Sequence, residues 1–170
     1  DGVLIQRPVY YPFSKVIEEN GRVVVNNPLK YEEGRYTIDF EDFEEKIVKN
    51  RVKLFLFCNP HNPVGRVWTR EELTRLGQIC NRHQVFVVSD EIHCDFIRKG
   101  FCHQNYAALG PEYAENVMVC TAPSKTFNLA GLQISNIFIP NEEKRKLFAE
   151  ELNRVSYREA GIFGSVACEA

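Results

Sequence analysis

Three nearly continuous apolar runs, at 52–58, 85–89 and 117–121, constrain the fold of this chain most strongly. A strand that is buried on one face only alternates apolar and polar residues. Unbroken runs rich in β-branched and aromatic residues are instead typical of strands covered on both faces. We therefore predict three central strands of a sheet that has helices on each side.

Helical patterns alternate with these runs. Asp39 is the expected N-cap of a helix that runs to about Lys49. Residues 69–72, Thr-Arg-Glu-Glu, have the pattern of a capping box that opens a second helix. Strands that alternate with helices indicate βαβ units with parallel strands. The expected fold is α/β, a three-layer sandwich around a mostly parallel sheet.

The remaining segments complete this scheme. Further strands are predicted at 3–6, 22–26 and 135–139, the last of them a candidate for antiparallel pairing, and 27–36 is predicted to be a loop. Ser14 is expected to cap a short helix that ends at Gly21. Asn141 is expected to cap a helix from Glu142 to about Arg158, with an inner face formed by Leu147, Phe148, Leu152 and Val155.

Composition excludes several classes of protein. The 170 residues suit one domain, and the net charge of −2 provides no electrostatic footprint for nucleic acid or an anionic membrane. No apolar run approaches the roughly 20 residues of a membrane helix. Six cysteines, with no C-x-x-C spacing, suggest buried free thiols and a cytoplasmic protein. The chain starts directly before a strand and stops at Ala170 without a helix cap or breaker, so we expect residues 1–170 to be a fragment of a longer polypeptide.

Polar side chains follow the three central strands. Asn62 follows the first, Asp90 and His93 follow the second, and Lys125 follows the third. Parallel strands bring their carboxyl ends to one edge, where open α/β sheets place their chemistry. Each residue also has a structural interpretation: a turn-forming asparagine, a capping or Arg-paired aspartate, a core or capping histidine and a solvated surface lysine.

Together these groups suit a pyridine aldehyde cofactor. An amine can form a Schiff base with the aldehyde, and a carboxylate can keep the ring nitrogen protonated, so that the ring becomes an electron sink. Asn62 and His93 can hydrogen-bond to the phenolate oxygen, and Tyr10 can stack on the ring. The chain contains neither a G-x-G-x-x-G motif nor a Walker A motif, so the usual nucleotide-binding loops offer no competing explanation.

Three motifs carry a resemblance to a known family. Residues 59–65 (NPHNPVG), 89–93 (SDEIH) and 124–128 (SKTFN) resemble, in this order, the fold-type I pyridoxal 5′-phosphate (PLP) enzymes of the class I/II aminotransferase superfamily. Within that superfamily, residues 27–40 and 128–136 are similar to the MalY/PatB group of cystathionine β-lyase-like C–S lyases. The resemblance covers essentially the whole chain.

The resemblance implies a role for each candidate. Lys125 matches the Schiff-base lysine, Asp90 matches the partner of the pyridine nitrogen, and Asn62 matches the residue that binds the 3′-oxygen. His93 stands where many aminotransferases have a tyrosine for the same oxygen, and Tyr10 matches the stacking aromatic residue.

Two positions depart from the family pattern. Gln133 and Ala122 stand where many relatives have a phosphate-binding arginine and serine. We expect Thr121 or Ser124 to substitute as a phosphate ligand.

The resemblance also implies an activity. It makes residues 1–170 the central part of the large PLP-binding domain, without the N-terminal segment and the C-terminal small domain. The expected function is a PLP-dependent carbon–sulfur β-lyase that converts cystathionine or a cysteine conjugate to a thiol, pyruvate and ammonia. We expect the full-length protein to be a homodimer acting on a small amino-acid substrate, and the fragment to be inactive alone.

Three other interpretations stay open. The nearest is a PLP-dependent aminotransferase, and the second is a non-catalytic regulatory domain of the same fold. The third is a metal site formed by His93, Cys94, Cys102 and His103, whose spacing does not fit the common zinc motifs.

Overall fold

A computed structural model of the chain describes residues 1–157 together with Gly164 and Val166. The strands are β1 Gly2–Ile5, β2 Val23–Asn26, β3 Lys30–Glu32, β4 Arg35–Thr37, β5 Leu54–Cys58, β6 Phe86–Asp90, β7 Val117–Thr121 and β8 Asn136–Phe138. The α-helices are α1 Pro12–Glu19, α2 Phe40–Lys49, α3 Arg70–Arg82, α4 Pro111–Ala114, α5 Pro123–Thr126 and α6 Glu142–Arg154.

Six strands form one sheet in the order β2-β1-β5-β6-β7-β8. All neighbouring pairs are parallel except β7 and β8, which are antiparallel. The prediction of a mostly parallel sheet is confirmed, and so is the antiparallel candidate at its edge. The register places Cys58 opposite Asp90, and Asp90 opposite Cys120.

Helices cover both faces of this sheet, which makes the fold three-layered. On one face α2 and α3 supply Phe43, Leu73 and Leu76, which are fully buried in one cluster with Phe55 and Phe57 of β5. On the other face α1 contributes Ile17 to a smaller cluster with Val3 and Ile5 of β1. The α/β sandwich expected from the sequence is therefore confirmed, and its larger core lies beneath α2 and α3.

The predicted caps of α2 and α3 are confirmed. Asp39 accepts a hydrogen bond from Asp42 N, and Thr69 and Glu72 form both bonds of the capping box. The predicted cap of α1 is wrong. This helix begins at Pro12, whose fixed φ suits the first helical position, and Ser14 lies inside it, where its Oγ accepts a hydrogen bond from Arg7 Nη2 at 2.7 Å.

The predicted loop at 27–36 contains a β-hairpin instead. Strands β3 and β4 pair across Glu33 and Gly34, whose φ angles of +52° and +78° suit a two-residue hairpin turn. The rings of Tyr31 and Tyr36 face each other across the pair with centroids 4.7 Å apart. The hairpin is polar and mostly exposed, so it lacks the apolar run that identified the central strands.

The inner face predicted for α6 is also wrong for the described residues. Leu147 is 59% exposed and Val155 is 54% exposed, while Phe148 and Leu152 are half-buried. Asn141 caps the helix as predicted, accepting from Lys144 N at 2.9 Å.

Polar contacts fix the start of α6. Lys144 Nζ donates to Glu115 O at 2.9 Å, and Arg145 Nη1 donates to Ile139 O at 2.6 Å. In the described part of the chain, these contacts hold α6 together with the half-buried Phe148 and Leu152, since none of its residues is fully buried. The helix ends at Arg154, and the predicted end at Arg158 lies outside the described residues.

The cysteines differ in exposure more than predicted. Cys58 and Cys80 are buried free thiols, but Cys102 is exposed and Cys94 and Cys120 are half-buried, while Cys168 lies outside the described residues. Burial raises the pKa of Cys58 to about 12, so this thiol stays protonated. Among the helices that the structure describes, none is long and apolar enough to cross a membrane.

Candidate active site

Strands β5, β6 and β7 end together at one edge of the sheet. Cys58, Asp90 and Cys120 lie in one row across these strands, and neighbouring strands are about 4.8 Å apart. The three strand ends therefore fall within about 10 Å of one another. Asn62 lies four residues beyond the end of β5, and Lys125 lies four residues beyond the end of β7.

The turn after β5 brings Asn62 next to Tyr10. Tyr10 N donates to Asn62 O at 3.0 Å, and Asn62 N donates to Cys58 Sγ at 3.3 Å. Asn59 N donates to Asp90 O at 2.9 Å, which joins the same turn to the end of β6. Tyr10 is 45% exposed, so part of this residue is available to a ligand.

His61 connects the turn after β5 to the segment that follows β1. Its Nε2 lies 3.0 Å from both Gln6 O and Pro8 O, so the neutral ring donates from this nitrogen to the segment that follows β1. Burial lowers the pKa of His61 to about 4, which keeps the ring uncharged at neutral pH. Trp68 packs edge-on against the ring, and its indole N–H donates to Cys58 O at 3.1 Å.

Asp90 is a half-buried carboxylate at the end of β6. Burial raises its pKa above the ordinary value, and the negative charge of Glu91 acts in the same direction. The hydrogen bond from Ile92 N, at 3.2 Å, and the nearby His93 lower the pKa in part. A cation or a strong donor placed against this carboxylate would compensate for its lost hydration.

Glu91 is a site-shaping residue that the sequence reasoning missed. Its carboxylate is almost fully buried (the residue is 1% exposed) and accepts four hydrogen bonds of 2.7–3.0 Å. The donors are Ser89 Oγ, His103 Nε2, Asn105 Nδ2 and Tyr106 N. These bonds join both ends of the loop that carries His93. The available signal was a second acid directly after a buried strand.

Lys125 and Ser124 lie on α5, a single helical turn directly beyond β7. Lys125 is exposed and Ser124 is half-buried. Ala122, the N-cap, contributes no side-chain hydrogen bond to the helix. Gln133 is exposed and has a left-handed backbone, with φ of +52°. The expected phosphate roles of Thr121 and Ser124 stay predictions.

The residues considered for a metal site make other contacts in the structure. His103 donates to Glu91, and the Cys102 thiol lies 3.5 Å from His103 O. In the part of the chain that the structure describes, no three His, Cys, Asp or Glu side chains are grouped as a metal site would require.

The candidate residues retain unused hydrogen-bonding capacity. Against the other described residues, the side chains of Asn62, His93 and Lys125 make no hydrogen bond, and Asp90 accepts only the bond from Ile92 N. An amine, a half-buried carboxylate, an amide and an imidazole are therefore available at one sheet edge. This set fits a pyridine aldehyde cofactor: an amine for the aldehyde, a carboxylate for the ring nitrogen and donors for the phenolate oxygen. The individual roles stay predictions.

Comparison with known proteins gives consistent matches. The family model described as aminotransferase class I and II matches residues 1–158. Cystathionine β-lyase PatB of Bacillus subtilis is 48% identical over the whole chain, which covers 44% of PatB. Protein MalY of Escherichia coli is 33% identical over 89% of the chain, which covers 38% of MalY. The chain thus spans less than half the length of these relatives.

Solved structures are also similar to this chain. Cystalysin from Treponema denticola, whose structure contains a pyridoxal 5′-phosphate cofactor, superimposes with a TM-score of 0.96 at 40% identity, over 99% of this chain and 43% of cystalysin. A PLP-bound C–S lyase from Staphylococcus hominis gives a TM-score of 0.85 at 43% identity, over 89% of this chain and 39% of that protein.

Proposed function

The chain belongs to the aminotransferase class I and II family, and we propose that the full-length protein is a PLP-dependent carbon–sulfur β-lyase of the MalY/PatB group. Its substrate would be cystathionine or a related cysteine conjugate, and its products a thiol, pyruvate and ammonia. Residues 1–170 would form the central part of the large cofactor domain and would be inactive alone. The full-length protein would act as a homodimer.

One observation carries the proposal: Asn62, Asp90 and Lys125 follow three adjacent strands that end at the same sheet edge. Tyr10 joins them through its hydrogen bond to Asn62 O. The reaction class rests on the relatives, since PatB is named a cystathionine β-lyase and the S. hominis protein a C–S lyase.

Each residue would hold the cofactor in a distinct way. Lys125 would bind it covalently through its amine, and the carboxylate of Asp90 would accept the ring N–H. Because burial already raises the pKa of Asp90, a positive charge at the ring nitrogen would offset the cost of keeping this carboxylate ionised. Asn62 and His93 would donate to the phenolate oxygen, and Tyr10 would cover one face of the ring.

The chemistry divides between the cofactor and the protein. When bound, PLP supplies an electron sink that stabilises negative charge at the substrate Cα. The free amine of Lys125 would remove the Cα proton and, once protonated, could pass that proton to the departing sulfur. Asp90 would keep the ring nitrogen protonated throughout, and Asn62 and His93 would hydrogen-bond to the phenolate oxygen at the other side of the ring.

The test is a product assay on the full-length protein. Cystathionine should give pyruvate, measured with lactate dehydrogenase, and a free thiol, measured with a chromogenic disulfide. Lys125→Ala should abolish both signals, whereas Lys99→Ala, a change at an exposed lysine in the loop after β6, should leave them intact.

Two outcomes would overturn the lyase assignment. Amino transfer to a keto acid without pyruvate release would establish the aminotransferase interpretation, which the family description favours. Neither reaction, together with no visible absorbance on mixing with PLP, would establish the non-catalytic interpretation.

A further inference from the structure

Lys125 lies on helix α5, which has little structural support. It is four residues long, has no buried residue, and its N-cap makes no side-chain hydrogen bond. Outside the regular elements, the backbone hydrogen bonds that residues 122–135 make with described residues stay inside this segment. Examples are Phe127 N to Pro123 O and Leu129 N to Ser124 O, both at 2.9 Å. These bonds fix the shape of the segment, and β7 and β8 attach its two ends to the sheet.

One side-chain hydrogen bond links this segment to the loop after β6. Thr126 Oγ1 donates to Asp95 Oδ2 at 2.6 Å. With the described residues as partners, it is the sole side-chain hydrogen bond that residues 122–135 make outside themselves. Thr126 is directly adjacent to Lys125, and Asp95 lies two residues after His93.

Asp95 is itself held in a defined position relative to Asp90. Two successive turns carry the chain from β6 to Asp95, closed by Cys94 N to Glu91 O and Phe96 N to His93 O, both at 3.0 Å. The buried carboxylate of Glu91 then fixes the loop at both ends through its four hydrogen bonds. A hydrogen bond to Asp95 therefore attaches its partner to the same loop that carries His93 and follows Asp90.

We propose that Asp95 and Thr126 form a positioning pair that holds the Lys125 helix against the Asp90–His93 turn. The inference rests on the proposed role of Lys125 as the cofactor-binding amine, and it applies whether the protein eliminates a thiol or transfers an amino group. Neither residue needs to touch the reacting atoms. Their effect is to set the distance between the amine and the carboxylate, which would hold opposite ends of one rigid ring.

The bond suits this purpose physically. A hydroxyl that donates to a carboxylate forms a short, charge-assisted hydrogen bond, stronger than one between neutral groups. No described cation lies within ion-pair distance of Asp95, and its other contact is a weak one from Cys94 Sγ at 3.8 Å. Among the described residues, Thr126 is thus the main hydrogen-bond partner of this exposed carboxylate. Small displacements of reacting groups reduce rates severely, since a misplacement of about 1 Å costs about a hundredfold.

The experiment uses the full-length, cofactor-loaded protein with Thr126→Val, Asp95→Ala and the double variant. Valine keeps the shape of threonine and removes the hydroxyl, and Thr126→Ser restores it. Thr74→Val, the same change on α3, is the matched control. Two quantities are measured: the midpoint of the pH titration of the visible cofactor absorbance, and kcat and KM for whichever reaction the protein catalyses.

The pair predicts a specific pattern. Thr126→Val and Asp95→Ala should each lower kcat about tenfold with little change in KM, and should shift the titration midpoint in the same direction. The double variant should be no worse than the single ones, because both changes remove one interaction. Thr126→Ser and Thr74→Val should stay near the wild type. If Thr126→Val does not fold, Asp95→Asn, which keeps an acceptor without the charge, should give a smaller shift in the same direction.

An unchanged midpoint and kcat in both single variants would overturn the pair, and so would strictly additive effects in the double variant. The wild-type protein distinguishes a failure of the pair from a failure of the proposed function. A wild-type protein that gains no visible absorbance with PLP would refute Lys125 as the anchor and the pair with it, whereas normal wild-type absorbance with unaffected variants would refute the pair alone.

Discussion

The buried imidazole of His61 makes stability depend on pH with a calculable size and sign. Its pKa falls from the ordinary 6.5 to about 4 because burial penalises the charged ring, and the residue is 1% exposed, so water screens it little. Below pH 6.5 the unfolded chain takes up a proton at this position and the folded chain does not. The contribution of the uncharged His61 ring to the unfolding free energy is therefore fully present above pH 6.5 and is lost as the pH falls towards 4. At about 1.4 kcal/mol per pH unit, this loss is about 3 kcal/mol.

Urea denaturation of the wild type and of His61→Gln, at several pH values between 7 and 4, measures this loss. Glutamine does not titrate, so the difference in unfolding free energy between the two proteins should shrink by about 3 kcal/mol across this range. Other acid-sensitive groups contribute to both proteins and largely cancel in the difference. Ile79→Val, in the larger core, is the control, and its smaller cost should not change with pH. A wild-type-to-Gln difference that stays constant within about 0.5 kcal/mol would refute the reasoning.

Three further changes test other parts of the structure. Thr69→Ala removes the capping box of α3 and should lower the unfolding free energy by about 1 kcal/mol, measured by thermal melting; no loss would show that the cap is dispensable. Glu91→Ala leaves buried donors such as Ser89 Oγ and Tyr106 N unpaired. At about 1–3 kcal/mol for each unsatisfied donor, it should cost about 3 kcal/mol or more in denaturant unfolding, and a cost near zero would contradict the network. Asp90→Asn should raise the melting temperature of the cofactor-free protein at pH 7, because burial raises the pKa of the Asp90 carboxyl and makes its ionised form costly in the folded state. This gain in melting temperature should vanish as the pH falls through the raised pKa. The same change should reduce turnover of the PLP-loaded full-length enzyme by orders of magnitude.

The central sheet was predictable because burial on both faces leaves a strong trace in the sequence. The runs at 52–58 and 117–121 contain β5 and β7, and the run at 85–89 covers β6 except for its last residue, Asp90. Their parallel pairing follows from the helices between them, and the common edge of Asn62, Asp90 and Lys125 follows from parallel pairing. Local capping patterns at Asp39 and Thr69 were equally informative, since a cap needs only neighbours in sequence.

Features that depend on distant partners were not predictable. The hairpin of β3 and β4 depends on the turn at Glu33 and Gly34 and on a cross-strand tyrosine pair, with little apolar burial. The partners of Glu91 lie 12 to 15 residues away apart from Ser89, and the Thr126–Asp95 bond spans 31 residues. The inner face predicted for α6 failed for a related reason, because helical periodicity identifies an apolar stripe without identifying what covers it.

The most direct test of the cofactor site is to trap its covalent bond. Full-length protein loaded with PLP is reduced with borohydride, digested and analysed by mass spectrometry. A phosphopyridoxyl mass on the peptide that contains Lys125, and its loss in Lys125→Ala, is the expected result. A label on another lysine, or no label on a protein that shows visible cofactor absorbance, would contradict the assignment of Lys125 and the site built around it.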